Sequence, residues 1–277
     1  MTAQVFQNAA CNWRCWYCFV PFNLLSADER RSAWLRPEDL VARYAAESNR
    51  ARVLDLSGGS PDLVPEWIPW MMEALSKAGV ATETYLWSDD NLSTNYLWDE
   101  LTGAQLDTLR NYRTYGRVGC FKGFDEESFV FNTSAAASDF GRQFEIMRSL
   151  LDLGIDVYAY VTLTTASPDN IPARIGGFVD RLQELDVNLP LRTVPLEIQM
   201  FSPVSPRMDD TRRLAMNLQH RGVAAWNAEI ARRYTATLRE RLVAEVPLES
   251  AGVVWGQCSG GRRGGGFAAL ARGAHLG

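Results

Sequence analysis

Short apolar segments alternate with longer amphipathic segments along most of the chain. Six of the short segments are rich in β-branched and aromatic residues, as IDVYAYVTLT is, and this composition is typical of strands. The predicted strands cover residues 2–9, 52–56, 82–88, 117–121, 155–164 and 192–200. The predicted helices cover residues 37–48, 65–77, 104–111, 140–153, 171–185 and 209–244.

Local signals support several of the helix boundaries. Pro37 stands at a first helical turn, where a missing N–H costs nothing, and acidic residues follow it. Gly79 and Gly154 end two other helices. Regular alternation of strand and helix predicts an α/β fold whose parallel strands are joined by right-handed crossovers. Because no repeat or linker interrupts residues 1–245, we predict one core domain there.

Composition and charge exclude several classes of protein. Apolar residues make up 47% of the 277, enough for a large core. The net charge of −5 argues against a general nucleic-acid binder, which usually carries excess basic residues. A run of about 18 apolar residues, as a membrane span requires, does not occur. The N-terminal segment lacks the features of a secretory signal, so we expect a cytoplasmic protein.

Three of the five cysteines lie close together. Cys11, Cys15 and Cys18 fall within eight residues, whereas Cys120 and Cys258 are isolated. A reducing compartment makes disulfides improbable, and soft thiolate ligands select zinc or iron–sulfur clusters. Structural zinc would usually require a fourth ligand, and no other Cys or His is near in sequence. The trio therefore favours a four-iron cluster with one open iron, with zinc completed by a remote residue as the alternative.

The spacing Cys-x3-Cys-x2-Cys resembles the signature of the radical S-adenosylmethionine (radical SAM) superfamily. The resemblance implies a partial (β/α)6 TIM-like barrel and an oxygen-sensitive [4Fe–4S] cluster held by Cys11, Cys15 and Cys18. It also implies SAM as cofactor, bound at the open iron and reductively cleaved to a 5′-deoxyadenosyl radical that abstracts hydrogen from substrate. Tyr17 matches the family's aromatic residue, which lies against the adenine.

A glycine turn follows the second predicted strand. The sequence Ser57-Gly58-Gly59-Ser60-Pro61 is similar to the family's Gly-Gly-Glu-Pro motif, which holds the amino group of SAM. Glycine allows the backbone to approach a ligand closely. Because Ser60 replaces the usual Glu, the resemblance carries over backbone contacts more securely than side-chain contacts.

Polar residues at other strand ends are candidates for SAM binding, because ligands gather at the carboxyl edge of parallel barrels. Asp89 and Asn91 follow the third strand, where an ordinary turn or helix cap is the alternative. Lys122 follows the fourth strand in a segment that resembles pyruvate formate-lyase activating enzymes. In those enzymes a Lys approaches the SAM carboxylate, and a solvated surface Lys is the alternative here. Thr162 shares one face of the fifth strand with Tyr160.

Three residues are candidates for contact with substrate. Glu197 lies in the apolar segment PLEIQMF, where a buried carboxylate needs a partner, so it meets either a ligand or an arginine such as Arg207. Cys120 and Tyr160 are candidate hydrogen donors on the fourth and fifth strands.

The C-terminal segment 246–277 differs from the rest of the chain. It is dense in glycine and basic residues, and such a composition buries little apolar area, so we predict a flexible tail. Auxiliary iron–sulfur clusters require several more cysteines than Cys120 and Cys258. A single-cluster enzyme is therefore expected.

The sequence predicts a radical SAM enzyme that acts on a small-molecule metabolite or natural product. One alternative is an activating enzyme that installs a glycyl radical on a partner protein. Another, of a different class, is a non-catalytic metal- or cluster-binding protein. The resemblance also implies a flavodoxin- or ferredoxin-type electron donor as a partner.

Overall fold

A computed structural model describes residues 3–249. Six strands form one sheet in the order β1 to β6, and every neighbouring pair is parallel. The strands are β1 (Ala3–Gln7), β2 (Val53–Ser57), β3 (Tyr85–Asp90), β4 (Tyr115–Phe121), β5 (Val157–Thr162) and β6 (Thr193–Leu196). The predicted parallel α/β fold is confirmed.

Helices connect the strands and cover one face of the sheet. They are α1 (Pro37–Ala46), α2 (Trp67–Lys77), α3 (Tyr96–Asp99), α4 (Gly103–Asn111), α5 (Glu126–Thr133), α6 (Ser138–Leu153), α7 (Ile171–Leu185), α8 (Asp210–Arg233) and α9 (Ala236–Arg239). Helices α3 and α5 have no counterpart among the predicted helices. Helix α5 begins with a capping box, in which Asp125 and Ser128 bond to each other's backbone N–H groups.

The sheet curls around an interior of its own, which we call the lumen. Strand residues alternate between the helices and the lumen, because successive side chains point to opposite faces. Leu54 and Leu56 of β2 lie fully buried in the main core. Val53 packs instead with Trp87, Val118, Cys120 and Tyr158 in a second cluster. Ala3 of β1 and Val194 of β6 pack against this same cluster, so the first and last strands approach a common centre.

The chain leaves the sheet earlier than predicted at β6. The predicted strand over 192–200 is too long, since β6 ends at Leu196. Beyond it, the Ile198 backbone N–H and C=O bond to the side-chain amide of Gln219 on α8, at 2.9 and 3.0 Å. A side chain thus satisfies the backbone groups that a strand neighbour would otherwise satisfy.

The last predicted helix, 209–244, is also too long. Helix α8 ends at Arg233, and Tyr234 is extended with its hydroxyl donating to the Val187 carbonyl. The Thr235 hydroxyl then accepts from the Leu238 N–H and starts the short helix α9. The Thr235 cap and the hydrogen bond from Tyr234 to Val187 therefore divide what the sequence pattern predicted as one helix.

The predicted flexible tail lies only partly within the described residues. Val246 is buried, and its carbonyl accepts a 2.9 Å hydrogen bond from the Arg192 guanidinium. The carbonyl of Pro247 accepts from the Asn188 amide at 3.0 Å. The start of the predicted tail is therefore packed against the amino-terminal end of the barrel. Residues 250–277, with Cys258, lie outside the described residues.

Candidate active site

The three clustered cysteines lie on the loop that follows β1, at the carboxyl edge of the sheet. An antiparallel bridge between Ala10 and Ser26 closes the base of this cysteine loop. The Cys11 N–H donates to the Leu25 carbonyl at 3.2 Å, and the Cys18 N–H donates to the Cys15 carbonyl at 3.0 Å. The cysteine loop is therefore a closed and internally bonded segment, which holds the three thiols in one place.

Two arginines stabilise the cysteine loop, one from within it and one from a distant segment. Arg14 donates to the carbonyls of Cys11 and Trp13, at 2.6 and 2.8 Å. Arg207 donates to the carbonyl of Cys18 at 2.7 Å and lies over the Phe22 ring. From the sequence, Arg207 was expected only as an ion-pair partner of Glu197. Its distance of almost 200 residues along the chain left no local signal of this role.

Aromatic residues attach the cysteine loop to the barrel. Trp13 packs edge-on against Phe129 of α5, with ring centroids 5.4 Å apart. The buried Trp16 indole donates to the Asn132 side chain at 3.0 Å. The Tyr17 hydroxyl lies 3.0 Å from the Thr162 hydroxyl at the end of β5. Tyr17 and Thr162, both predicted SAM-binding residues, are therefore in direct contact.

Burial and charge act in opposite directions on the thiols. Burial raises the pKa of Cys15 to about 11, and the ammonium of Lys122 opposes this rise. Burial alone would lower the pKa of Lys122, but Cys120, Tyr17, Cys15 and Cys11 raise it above its usual range. Lys122 is half-buried beside the cysteine loop. The alternative of a solvated surface lysine is therefore wrong.

The glycine turn after β2 supports the same loop. Gly58 has a φ of +77°, and a Cβ on Gly59 would lie only 2.3 Å from the Asn8 carbonyl oxygen and 2.5 Å from that of Ala10. The next N–H, of Ser60, donates to the Ala10 carbonyl at 2.8 Å. Glycine is thus required at 59 because the cysteine loop lies directly on the turn.

Comparison with known proteins agrees with this geometry. A family model described as the radical SAM superfamily matches residues 8–183, which is more than half of the chain. The chain belongs to the radical SAM superfamily. It is accordingly an enzyme of the radical SAM class. No curated protein matches the sequence.

Two solved radical SAM structures share the fold. Streptococcus suis SuiB bound to S-adenosylmethionine has a TM-score of 0.55 and 14% identity, covering 83% of this chain and 48% of SuiB. Native anSMEcpe with bound AdoMet and Cp18Cys peptide has a TM-score of 0.50 and 14% identity, covering 72% of this chain and 51% of that one. The chain thus spans about half the length of each. The similarity confirms the predicted partial barrel.

Radical SAM enzymes use a [4Fe–4S] cluster and SAM, and the residues of the cysteine loop suit both. Thiolates are the ligands that iron–sulfur clusters use, and the three cysteines lie on one loop with Lys122 as a neighbouring positive charge. Among residues 3–249, no three His, Cys, Asp or Glu side chains are arranged to hold a single metal ion. Cys11, Cys15 and Cys18 together would instead hold a four-iron cluster through their thiolates.

The other predicted SAM-binding residues divide into two groups. Ser57 and Asp89 lie together on the lumen side, where the Ser57 hydroxyl donates to the Asp89 carboxylate. Ser60 and Asn91 are buried and bond to each other behind the cysteine loop, at 2.8 Å. Their side chains take part in that buried network, and the contact of Ser60 and Asn91 with SAM stays a prediction.

The candidate substrate residues also separate. Glu197 lies beyond β6 and is exposed. The expectation that its carboxylate is buried is therefore wrong. Arg207 bonds to carbonyls of the cysteine loop, as described above. Cys120 and Tyr160 are side by side in the register of β4 and β5, and Cys120 is buried in the lumen cluster. Burial raises the pKa of Cys120 to about 12, so its thiol is neutral.

An acidic residue that was not among the predicted site residues lies deeper in the lumen. Asp55 of β2 is beside Trp87 in the register, and its Oδ1 atom is buried without a hydrogen-bond partner among the described residues. Burial, and then the charge of Asp89, raise the pKa of Asp55 to about 9. Alternation within the segment VLDLS places this carboxyl on the lumen face. The apolar residues on either side of it made the segment read as an ordinary buried strand.

We expect Asp55→Asn to stabilise the protein at neutral and alkaline pH. The folded protein keeps the Asp55 proton up to about pH 9, whereas the unfolded chain loses it near pH 4. Between these values the unfolded state binds fewer protons, so raising the pH favours unfolding by up to about 1.4 kcal/mol per pH unit. Thermal unfolding from pH 5 to 8 should show a growing advantage of the variant.

The exposed residue Asp152 gives the matched control. Asp152→Asn should leave the pH dependence of the melting temperature unchanged. Parallel pH profiles for wild type and Asp55→Asn would show instead that Asp55 is ionised in the folded protein.

Two further features lie away from this site. A surface cavity of about 520 Å³ lies between α5, α6 and α7, on the helix side of the sheet, and Arg174 and Arg181 line it. No helix in the described part of the chain is both long enough and apolar enough to span a membrane.

Proposed function

We propose that this enzyme abstracts a hydrogen atom from a small molecule bound in the lumen. The openness of the lumen near the cysteine loop carries this proposal. Asp55, Ser57, Asp89 and Tyr160 face the lumen and remain partly exposed, whereas the helix-facing residues beside them on the same strands are fully buried. An open, polar interior of this kind is suited to a small polar ligand.

The other end of the lumen is closed. Val53, Val118, Trp87 and Tyr158 fill it, and the Trp87 and Tyr158 rings lie 5.2 Å apart. Arg192 covers the outer face of the Tyr158 ring at 4.1 Å. Ligands therefore enter from the side of the cysteine loop, and the closed end keeps bulk water away from a reactive centre.

Each side chain at the open end has a proposed task. Cys11, Cys15 and Cys18 hold the cluster, and Tyr17 packs against the adenine of SAM. The backbone of Gly58 and Gly59 receives the methionine amino group. Lys122 binds the SAM carboxylate, and Ser57, Asp89 and Thr162 offer hydrogen-bonding groups to the rest of the nucleoside. When bound, the cluster and SAM supply the one-electron chemistry that removes a hydrogen atom from substrate.

Cys120 and Tyr160 are the proposed groups nearest to a substrate in the lumen. Cys120 lies on β4 two residues before Lys122, and Tyr160 lies on β5 two residues before Thr162. A neutral thiol and a neutral phenol each hold a hydrogen that a substrate radical can take. Burial raises the pKa of Tyr160 well above its usual range, so its phenol keeps its proton.

A peptide or protein substrate is the second candidate, which includes the glycyl-radical activase. Phe19 directly follows Cys18, is 56% exposed, and has its ring 6.1 Å from that of Phe201. Such an exposed aromatic pair beside the cysteine loop offers a surface to a protein. The bound peptide of anSMEcpe also favours this candidate. The same surface would suit a flavodoxin- or ferredoxin-type electron donor.

The decisive experiment compares two fractions of a cell extract. We expect the anaerobically reconstituted enzyme, reduced with dithionite, to form 5′-deoxyadenosine from SAM faster when the extract's ultrafiltrate is added. Protease treatment of the ultrafiltrate should leave the stimulation intact. Stimulation by the retained, protease-sensitive fraction alone would contradict the small-molecule proposal and support the peptide or protein substrate.

A further inference from the structure

A buried asparagine contacts one of the three cysteines. Asn91 follows β3 and is only 6% exposed. Its Nδ2 atom lies 3.6 Å from the Cys11 Sγ atom and 2.8 Å from the Ser60 Oγ atom. The first distance is within the range for a hydrogen bond to sulfur, whose radius is larger than that of oxygen. Both N–H groups of one amide are thus directed at named acceptors.

The direction of these hydrogen bonds follows from Asp62. The Ser60 hydroxyl has one proton and donates it to the Asp62 Oδ1 atom. Ser60 Oγ therefore accepts from the Asn91 amide, and the nitrogen side of that amide must face Ser60 and Cys11. This direction applies to the ionised Asp62 carboxylate, because both of its oxygens can then only accept.

The hydrogen-bond network that contains Asn91 returns to the cysteine loop at Asn12, the residue after Cys11. The Ser93 hydroxyl donates to the Asp62 Oδ2 atom at 2.7 Å, and the Asn12 amide donates to Ser93 at 2.9 Å. A ring of hydrogen bonds therefore runs from Cys11 through Asn91, Ser60, Asp62 and Ser93 to Asn12. Ser60, Asp62 and Ser93 are buried, so water does not compete for these bonds.

Independent contacts fix the backbone at Asn91. The Asp90 carboxylate accepts from the Leu92 N–H at 2.6 Å and from the buried Arg117 guanidinium. The Gln143 amide donates to the Asn91 carbonyl at 3.0 Å. The residue is thereby held on both sides. Its side chain cannot turn away from Cys11 without breaking buried hydrogen bonds.

We infer that Asn91 is a positioning residue that donates a hydrogen bond to the Cys11 thiolate and makes the cluster easier to reduce. The inference rests on the proposed role of Cys11 as a cluster ligand. Reduction adds negative charge to the cluster and its sulfurs, so a donor at the sulfur stabilises the reduced form more than the oxidised form. Partners of this kind also orient the ligand itself.

The test is the midpoint potential of the reconstituted cluster in the Asn91→Leu variant, measured without SAM by EPR-monitored redox titration. Leucine keeps the approximate shape of asparagine and removes both donors. We expect a clear shift to more negative potential. Asn188→Leu is the matched control, because Asn188 is also buried but lies at the other end of the barrel. That variant should keep the wild-type potential.

Ser60→Ala provides a second variant that keeps Asn91. Loss of its acceptor frees the amide to turn, so the potential should shift in the same direction by a smaller amount. The double variant should match Asn91→Leu, since the two changes remove one interaction. A wild-type potential in Asn91→Leu with full iron content would overturn the inference. Failure of the wild-type enzyme to assemble a cluster would instead contradict the proposed role of the cysteines.

Discussion

Replacing Cys15 by alanine is expected to abolish both the cluster and the cleavage of SAM. Cys15 is the middle residue of the trio, and the Trp16 N–H after it is held by the Asn132 carbonyl at 3.2 Å. Cys120 is the one described cysteine outside the trio and is not on this loop, so no spare thiolate replaces the lost one. Losing an outer partner of a metal ligand typically costs about 10–100-fold, and losing a ligand should cost more. We expect formation of 5′-deoxyadenosine to fall by at least about a hundredfold.

Cys120→Ala is the control that distinguishes loss of a cluster ligand from loss of any cysteine. Cys120 is buried in the lumen on β4 and is not on the cysteine loop. Its replacement should leave the iron and sulfide content of the reconstituted protein at the wild-type level. Iron content that falls equally in both variants, or in neither, would contradict the assignment of Cys15 as a ligand.

Replacing Arg117 by methionine is expected to cause the largest loss of stability. The Arg117 guanidinium is fully buried and donates twice to the Asp90 carboxylate, at 2.9 and 2.6 Å. Methionine would leave the Asp90 charge buried without its partner, which typically costs about 3–5 kcal/mol. Urea unfolding should show this decrease in the free energy of unfolding. Because Asp90 also holds the turn that carries Asn91, the cluster potential should change as well.

Two comparisons make the prediction for Arg117 specific. Arg213→Met removes an exposed ion pair with Asp210 and should cost at most about 1 kcal/mol. Adding Asp90→Asn to Arg117→Met removes the unpaired charge and should restore part of the lost stability. If Arg117→Met were no more destabilising than Arg213→Met, the buried pair would not contribute as described.

Local sequence signals were sufficient where the structure depends on nearby residues. The predicted helix over 171–185 agrees with α7, and the predicted start of α1 at Pro37 is right, because these helices depend on their own periodicity and first-turn residues. The predicted end of the sixth strand at residue 200 and the predicted unbroken helix to residue 244 were wrong. Gln219 bonds to Ile198 from 21 residues away, and Tyr234 bonds to Val187 from 47 residues away.

The candidate site shows the same division. Cys11, Cys15, Cys18, Gly58 and Gly59 were identified from their spacing, since each motif lies within one loop. Ser60 and Asn91 lie near the cysteines as expected, but the sequence did not reveal the hydrogen bond between them or the one from Asn91 to Cys11. Their partners belong to different strands and loops, and only the curled sheet brings these together. The same is true of Asp55, whose environment depends on three strands.

The sequence by itself therefore determined the class of chemistry, the parallel α/β fold and the loop that carries the thiols. These properties depend on residue type, short spacing and periodicity, which a chain displays before it folds. Tertiary structure alone decided which polar groups face the lumen, which join the buried ring behind Cys11, and how Arg207 supports the cysteine loop. The physical reason is that burial, pKa and hydrogen-bond direction are set by neighbours distant in sequence, and such neighbours exist only in the folded protein.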